Sequence, residues 1–367
     1  MGDALGAPVE FRSTAQIRAR FGDAGVRDFV EVSFGAITGT GLVTDDTQMT
    51  LFTIEGLIRA STRFSYRGIA HVPSVVNRAY TRWYATQTGE DSSDKDGDGW
   101  LVRQEWLHSR RAPGNTCLGS LQEQHIHGLY NPASNDSQGC GAVMRSAPFG
   151  WTTAEESRIF DIAVECAAFT HGHPNAQQPA GAFALLIAKL MRGLALEEAV
   201  VETISDLKAR VGDGEVVEIL TQSHVAALNG HPNVEALECL GQGWVGHEAL
   251  AIAIYAALAY PERGQMLDAL SLAVSHGGDS DSTGAICGNL LGALHGESAV
   301  PAHLAYRVEG RATMLELADD YLYELRDSFT PNDALPIIIR DGEPVKMEAK
   351  SRHIHDTDEW ILRYPGY

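Results

Sequence analysis

Apolar residues recur at helical spacing along most of the chain. In 47–61 (TQMTLFTIEGLIRAS), Leu51, Ile54 and Ile58 fall on one face of a helix, with charged residues near its end. The same periodicity runs through 154–170, 176–192, 246–260 and 283–295. Strand signals are few and short, at 26–32 and 335–340, and strands do not alternate with helices. The pattern predicts one mostly helical, all-α domain and counts against a doubly wound or barrel fold.

Polar stretches mark the expected boundaries of this domain. Residues 86–99 (TQTGEDSSDKDGDG) are acidic and lie in a predicted exposed insertion over 86–105. A Gly-, Asn-, Ser- and Pro-rich stretch over 128–148 leads into the apolar segment CGAVMRSAPF. The final stretch, 327–367, is polar and ends in WILRYPGY. We therefore expect a domain over 1–326 and a C-terminal tail over 327–367 that docks on it through aromatic side chains.

Charge and cysteine content narrow the function classes. The chain has 48 acidic and 28 Lys and Arg residues, a formal charge of -20, which repels a nucleic-acid backbone. It has no apolar run of about 20 residues and no basic, apolar N-terminal leader. The 5 cysteines are scattered and form no CxxC, as in reduced thiols. These features predict a cytoplasmic monomer without membrane contact.

The first cluster of chemical interest is Thr44-Asp45-Asp46-Thr47, directly before a predicted helix. Asp and Thr at a helix start cap its free N–H groups and interact well with its dipole. One Asp suffices for a cap, and two adjacent carboxylates repel each other unless a cation lies between them. The cluster therefore has two interpretations, a helix cap and a site for a hard cation.

The second cluster, 276–284 (HGGDSDSTG), also precedes an apolar helix. Asp279, Asp281 and Ser282 alternate acid and hydroxyl groups. The GDS triplet is shared with one class of serine hydrolases, but that interpretation needs a strand before the Ser, and none is predicted. Two acid–hydroxyl clusters, each at a helix start, instead suggest two halves of one dinuclear Mg²⁺ or Mn²⁺ site.

Seven segments together resemble a known family. In order they are GDALGAPVEF, TDDTQMTL, RAPGNTCLGSL, GCGAVMRSAPFG, THGHP, GWVGHEALAIAIYAAL and HGGDSDSTGAICGNLLGALHG. This series resembles the ADP-ribosylglycohydrolase family. The resemblance implies a single compact, orthogonal helical domain with a dinuclear metal site, and cleavage of the glycosidic bond between ADP-ribose and an acceptor. Members usually have a helix before GDALG, so the first family helix is expected to be missing here.

The resemblance also implies roles for individual residues. Glu10, Asp46 and Asp281 are expected to take part in catalysis, with Asp281 bridging two metal ions. The implied metal ligands are Thr44, Asp45, Asp46, Asp279, Asp281 and Ser282. The implied substrate contacts are Asn115, Thr116, Ser137, Gln138, Gly139, Cys140, Gly141, His171 and Trp244. Within this set, the turn 137–141 is expected to hold the diphosphate through backbone N–H groups, and Trp244 either lies against the adenine or is a core residue.

One motif lies outside the family pattern. Asp94, Asp96, Asp98 and Glu105 match the spacing of an EF-hand loop, with Gly99 at the sixth position. The alternatives are a Ca²⁺ site and a solvated acidic loop, since EF-hand loops normally occur in pairs.

The two acidic clusters and the family resemblance together imply a hydrolase that needs two Mg²⁺ or Mn²⁺ ions. Its expected substrate is an ADP-ribosylated protein or a small ADP-ribose conjugate, with arginine as the acceptor. The alternatives are an O-acetyl-ADP-ribose, serine-linked or poly-ADP-ribose hydrolase, and a catalytically silent ADP-ribose-binding relative.

Overall fold

A computed structural model of the chain describes residues 1–89, 99–127, 131–152, 154–327, 338–340, 343–345 and 358–366. The first eight helices are α1 Gly2–Gly6, α2 Thr14–Phe21, α3 Asp45–Arg67, α4 Val72–Thr88, α5 Asn115–His127, α6 Ala147–Gly150, α7 Glu156–Ala168 and α8 Pro174–Met191. The others are α9 Leu196–Val211, α10 Glu215–Asn229, α11 Val234–Glu238, α12 Gly246–Ala259, α13 Met266–Val274, α14 Ser280–His295, α15 Ala302–Ala305, α16 Arg311–Asp327 and α17 Asp358–Arg363. Short 3₁₀ segments span Leu101–Arg103, Glu105–Leu107, Cys140–Ala142, Arg263–Gln265 and Glu297–Ala299.

Two short antiparallel hairpins accompany the helices. Strand β1 (Glu31–Phe34) pairs with β2 (Ile37–Thr40), with Glu31 opposite Thr40. Strand β3 (Ile338–Arg340) pairs with β4 (Glu343–Val345). Each hairpin has only two strands, so neither builds a core of its own. The mostly helical class predicted from the periodicity is confirmed.

The helices form one packed body. Helix α3 lies against α4, α7 against α8, and α10 against α12, while α12 also contacts α8 and α14. One apolar core surrounds α12, whose sequence GHEALAIAIYAALA is buried on nearly all sides. A second core joins α3, α4 and α7 to the aromatic residues of the chain's C-terminal part. Burial of these apolar faces is the main source of stability.

Helices α1 and α14 cross with their backbones in direct contact. A Cβ added at Gly2 would lie 1.8 Å from the carbonyl oxygen of Gly284, and one added at Gly6 would lie 2.2 Å from that of Ser280. Only glycine fits at such distances, which explains why small residues alternate in GDALG. The crossing brings Asp3, on α1, and Glu10, just beyond it, to the beginning of α14.

Aromatic residues of the last helix pack on the body. Trp360 and Tyr364 are buried, and their rings lie 4.8 Å apart. The Tyr364 hydroxyl donates a hydrogen bond to Asp320 of α16 (2.7 Å). Arg59 of α3 donates to the carbonyl oxygen of Pro365 (3.2 Å). The described end of the predicted tail therefore contacts both α3 and α16.

Candidate active site

The beginning of α3 supplies one half of the site. Thr44 is the N-cap residue, and its hydroxyl accepts a hydrogen bond from the backbone N–H of Asp46 (3.3 Å). Asp45 and Asp46 occupy the first turn and are both buried. Their carboxylates lie at the positive end of the helix dipole, which stabilises negative charge by about 0.3–1 kcal/mol per group.

The beginning of α14 supplies the other half. Asp279 is its N-cap residue and accepts a hydrogen bond from the backbone N–H of Ser282 (3.3 Å). Asp281 accepts from the same N–H (3.1 Å). Both predicted clusters are thus helix caps, as the simpler interpretation required, but capping uses only part of their polar atoms.

The structure brings these two helix starts together. The Ser282 hydroxyl on α14 lies beside the Asp46 carboxylate on α3. Carboxylate oxygens of Glu10, Asp279 and Asp281 all lie within 4.8 Å of one another, which is close enough to share a cation. Oxygen Oδ1 of Asp46 is buried and has no hydrogen-bond partner in the structure. A buried carboxylate oxygen without a partner costs free energy, so this donor set fits a divalent cation.

The pKa values of the carboxyl groups in the site reflect its excess of negative charge. Burial, and then the nearby Asp279, Asp45 and Asp3, raise the pKa of Glu10 to about 8. Burial also raises the pKa of Asp45 to about 8. Carboxylate oxygens of Glu10 and Asp281 lie within 4.8 Å of each other, and two ionised carboxylates at that distance repel. Without cations the cluster therefore holds protons that ordinary carboxylates would release near pH 4.

Asp3 belongs to this site and was missed from the sequence. Its buried carboxylate accepts hydrogen bonds from the backbone N–H (3.0 Å) and the hydroxyl (3.0 Å) of Thr44. It also accepts from the backbone N–H of Thr47 (3.2 Å) and from the Thr47 hydroxyl. Through these hydrogen bonds Asp3, a residue of α1, fixes the position of the start of α3. A single Asp among small residues has no spacing pattern, so only its position within the GDALG segment could have indicated this role.

Two predicted substrate segments lie beside the carboxylates. The backbone N–H of Gly114 donates to Asp45 (3.3 Å), which places the start of α5, with Asn115 and Thr116, next to the first cluster. The Thr116 hydroxyl lies 3.0 Å from the Ser137 hydroxyl. The free N–H groups at the start of a helix favour anions. The geometry is therefore compatible with phosphate contacts for these residues, which stay a prediction.

The turn 137–141 is less open than predicted. The backbone N–H of Ser137 donates to Asn135 (3.0 Å), that of Gly139 to the Ser137 hydroxyl (3.3 Å), and that of Cys140 to the Trp244 carbonyl (3.2 Å). The carbonyl of Gln138 accepts from Gly246 (2.8 Å). These three N–H groups have protein acceptors in this structure, so diphosphate contacts through Ser137, Gly139 and Cys140 stay predictions. Contacts through Gln138 and Gly141 stay predictions.

His171 lies beneath this turn instead of on its outer surface. The side chain is buried, its Nδ1 is 2.8 Å from the Thr170 hydroxyl, and its ring packs against Gly139 and Gly141. Burial, and then the charge of Arg145, lower the pKa of His171 to about 3, so the ring is neutral. The turn covers the ring in this structure, and a direct substrate contact of His171 stays a prediction.

Trp244 lies at the rim of the site and is not a core residue. It is 37% exposed, and its ring stacks on Phe11 with centroids 5.1 Å apart and planes 21° apart. Phe11 follows Glu10 directly, is 73% exposed and has a φ of 65°, in the left-handed region. That conformation is strained for a residue with a Cβ. Phe11 was missed from the sequence, because no local pattern announces a positive φ at a non-glycine residue.

The predicted calcium loop cannot be assessed as a whole. Asp94, Asp96 and Asp98 lie outside the described residues. Glu105 is exposed at the start of the 3₁₀ segment Glu105–Leu107. Calcium binding there stays a prediction. Across the part of the chain that the structure describes, no helix has the length and apolar character needed to cross a bilayer.

Comparisons with known proteins identify the family of the chain. The profile of the ADP-ribosylglycohydrolase family matches residues 1–331, so the chain belongs to this family. An uncharacterised protein of Archaeoglobus fulgidus is 28% identical over 326 residues, which cover 89% of this chain and 93% of that protein. The ADP-ribosyl-[dinitrogen reductase] glycohydrolase of Rhodospirillum rubrum is 24% identical, over 82% of this chain and 84% of the relative.

A solved structure shares the fold. It is of an ADP-ribosylglycohydrolase-related protein complex, with a TM-score of 0.60 and 23% identity, and the match covers 89% of this chain and 94% of that one. The family membership and the named glycohydrolase relative make this chain a glycosidase that acts on ADP-ribosylated substrates.

Proposed function

We propose that this protein is a hydrolase dependent on two divalent cations, Mg²⁺ or Mn²⁺, that releases ADP-ribose from arginine side chains of modified proteins. The observation that carries the proposal is the meeting of the α3 and α14 starts, which buries Asp45, Asp46, Asp279 and Asp281 together. No helix needs so many acids for capping. A catalytically silent relative would have no use for a buried carboxylate oxygen without a partner.

The proposed cation ligands are the side chains that face one another across this junction. They are Thr44, Asp45, Asp46, Asp279, Asp281 and Ser282, which would hold the cations. Although the Thr44 hydroxyl donates to Asp3 (3.0 Å), its oxygen keeps lone pairs for a metal ion. Bound divalent cations supply Lewis acidity and lower the pKa of water, and they offset the local negative charge.

Glu10 is the residue to which we assign proton transfer. It is half-buried at the edge of the acidic cluster, whereas the four aspartates are buried. It can therefore contact both the cluster and a substrate entering from solvent. Cleavage of a glycosidic bond to ribose passes through an oxocarbenium-like state, and a carboxyl group at the edge can move the proton that departure of the acceptor requires.

The rim offers an aromatic surface for the nucleotide. We assign the adenine to the exposed Trp244 and Phe11 pair, since stacking on an aromatic face contributes about 1–3 kcal/mol per base. The start of α5 lies next to the Asp45 carboxylate, and we assign the phosphates to it. The choice of arginine as acceptor rests on charge: a guanidinium group complements a chain with a formal charge of -20.

The direct test is a comparison of substrates. Purified protein is freed of metal, and is then supplied with Mg²⁺ or Mn²⁺ and offered an ADP-ribosyl-arginine peptide, an ADP-ribosyl-serine peptide and O-acetyl-ADP-ribose. We expect release of ADP-ribose from the arginine peptide to be fastest and to require the cation. The exposed Asp213→Asn variant, which changes charge away from the site, serves as the control.

Each outcome has a separate meaning. Faster cleavage of the serine peptide or of O-acetyl-ADP-ribose would keep the metal-dependent hydrolase but refute the arginine assignment. Binding of ADP-ribose by calorimetry, with no cleavage of any substrate, would identify a silent relative. Full activity in excess chelator would refute the role of the cations.

A further inference from the structure

A cysteine side chain faces the acidic cluster. The Sγ atom of Cys140 lies 2.8 Å from Oδ2 of Asp279 and 3.4 Å from the Ser282 hydroxyl oxygen. Cys140 begins the 3₁₀ segment Cys140–Ala142, and its backbone N–H is held by the Trp244 carbonyl. The turn that we expected to contact substrate through its backbone therefore also directs a thiol at two proposed cation ligands.

The same place contains the partnerless carboxylate oxygen. Asp46 is only 3% exposed, its Oδ1 atom has no hydrogen-bond partner, and its carboxylate lies beside the Ser282 hydroxyl that contacts Cys140. The geometry makes the S–H group of Cys140 the hydrogen-bond donor to Oδ2 of Asp279.

Sulfur changes which cations a site prefers. Mg²⁺ takes oxygen ligands, whereas Zn²⁺ and Co²⁺ also bind thiolate sulfur strongly. A thiol gives up its proton when such a metal binds, because the thiolate is the ligand. Here the S–H proton would leave to the buffer as the metal–sulfur bond forms, and Asp279 would be released from its hydrogen bond to the thiol.

We propose that Cys140 is a sulfur ligand that makes the Asp279–Ser282 half of the site selective for thiophilic divalent cations, such as Zn²⁺ and Co²⁺, over Mg²⁺. The inference rests on the cation site of the proposed function and adds a mixed oxygen–sulfur character to it. Occupation by Mg²⁺ uses the oxygen ligands alone, and Zn²⁺ or Co²⁺ uses them together with Cys140.

The test is a cobalt titration of the full-length, metal-free protein. The exposed Cys239 is replaced by Ser in all samples, so that it cannot contribute a signal. On this background Co²⁺ should produce a near-ultraviolet sulfur-to-cobalt charge-transfer band. The band should disappear in Cys140→Ser. If circular dichroism shows that this variant folds poorly, Cys140→Ala replaces it, and the band should be absent there too. Competition titrations should show Zn²⁺ affinity falling by at least about tenfold in Cys140→Ser, with Mg²⁺ affinity changed less than about twofold.

The failure modes separate the two proposals. Cobalt bound with visible d–d bands but without a charge-transfer band would overturn the sulfur ligand and leave the carboxylate site standing. A charge-transfer band that persists in Cys140→Ser would assign the sulfur to another cysteine and also overturn the inference. Absence of any cobalt or magnesium binding, by contrast, would refute the cation site of the proposed function itself.

Discussion

Helix α3 buries acidic side chains in two places with opposite arrangements. Glu55, in the middle of the helix, is fully buried and accepts two hydrogen bonds from Arg82 (3.1 and 2.8 Å) and one from the backbone N–H of Leu101 (3.0 Å). Asp46 lies nine residues earlier, about 14 Å along the axis. It is surrounded by carboxylates, and its Oδ1 has no partner. The comparison separates Glu55, whose charge the protein neutralises itself, from Asp46, whose charge the proposed cations would neutralise.

The difference has a physical basis in the cost of burial. A buried ion is tolerated when an opposite charge and hydrogen bonds compensate its lost hydration. Glu55 has such compensation from Arg82, so its role is structural. The aspartates at the helix starts have hydroxyls, N–H groups and other acids as neighbours, so the folded chain bears an electrostatic cost that the proposed cations would offset. Mutations at the two places should therefore affect different properties.

The largest expected effect is on activity at the aspartates. In Asp45→Ala/Asp46→Ala, hydrolysis should fall by at least about 10³-fold, because several kcal/mol of charge stabilisation at the reaction centre is lost. The helical fold should persist, since like charges are removed. Turnover of an ADP-ribosyl-arginine peptide and far-ultraviolet circular dichroism check the two halves of this prediction. Asp213→Asn is the charge control, and near-wild-type turnover in the double variant would contradict the assignment.

Glu10→Gln should reduce turnover by about 10²- to 10⁴-fold while changing ADP-ribose affinity less than about threefold. General acid–base catalysis contributes to rate and hardly to ground-state binding. Steady-state kinetics and calorimetry on the same preparation give the two numbers. If turnover is unchanged, the proton-transfer role belongs to one of the aspartates instead of Glu10.

Glu55→Gln should act on stability instead. The variant leaves the Arg82 guanidinium buried without a counter-charge, which costs about 3–5 kcal/mol of unfolding free energy. Urea denaturation measures this loss. The double variant Glu55→Gln/Arg82→Met should recover part of it, because no uncompensated charge remains. An equal midpoint for wild type and Glu55→Gln would show that the pair is not structural.

The smallest expected effect is a pH dependence of the metal-free protein. Glu10 and Asp45 have folded-state pKa values of about 8, above those of free carboxyl groups. The folded state therefore binds more protons than the unfolded state between about pH 4 and pH 8, and stability falls as pH rises through that window. The melting temperature without metal should drop by at least about 2 °C between pH 5 and pH 8.

Two controls sharpen this measurement. Saturating Mg²⁺ or Mn²⁺ should reduce the drop, because a cation favours the ionised carboxylates. Asp45→Asn should flatten the metal-free profile, whereas Asp213→Asn should leave it unchanged. A metal-free profile that rises from pH 5 to pH 8 would contradict the raised pKa values.

Local pattern was enough to predict the parts of this protein that repeat or cluster. Apolar periodicity predicted helices over residues such as Leu51, Ile54 and Ile58, because one buried face requires that spacing. Adjacent acids and hydroxyls at two helix starts indicated a cation site, since capping alone does not need them. The hairpins were signalled only in part, because strands of three or four residues contain too few alternating positions for a firm assignment.

Tertiary contacts decided the rest. Three contacts join residues that are distant in sequence. The Cys140 N–H donates to the Trp244 carbonyl, His171 is buried under the turn 137–141, and Thr44 donates to Asp3. The sequence by itself determined the helical class, the family and the acidic clusters, because spacing and composition carry that information locally. The tertiary structure alone decided which backbone donors were already engaged and which thiol faced the carboxylates, because hydrogen bonding and burial depend on what the fold places within a few ångströms.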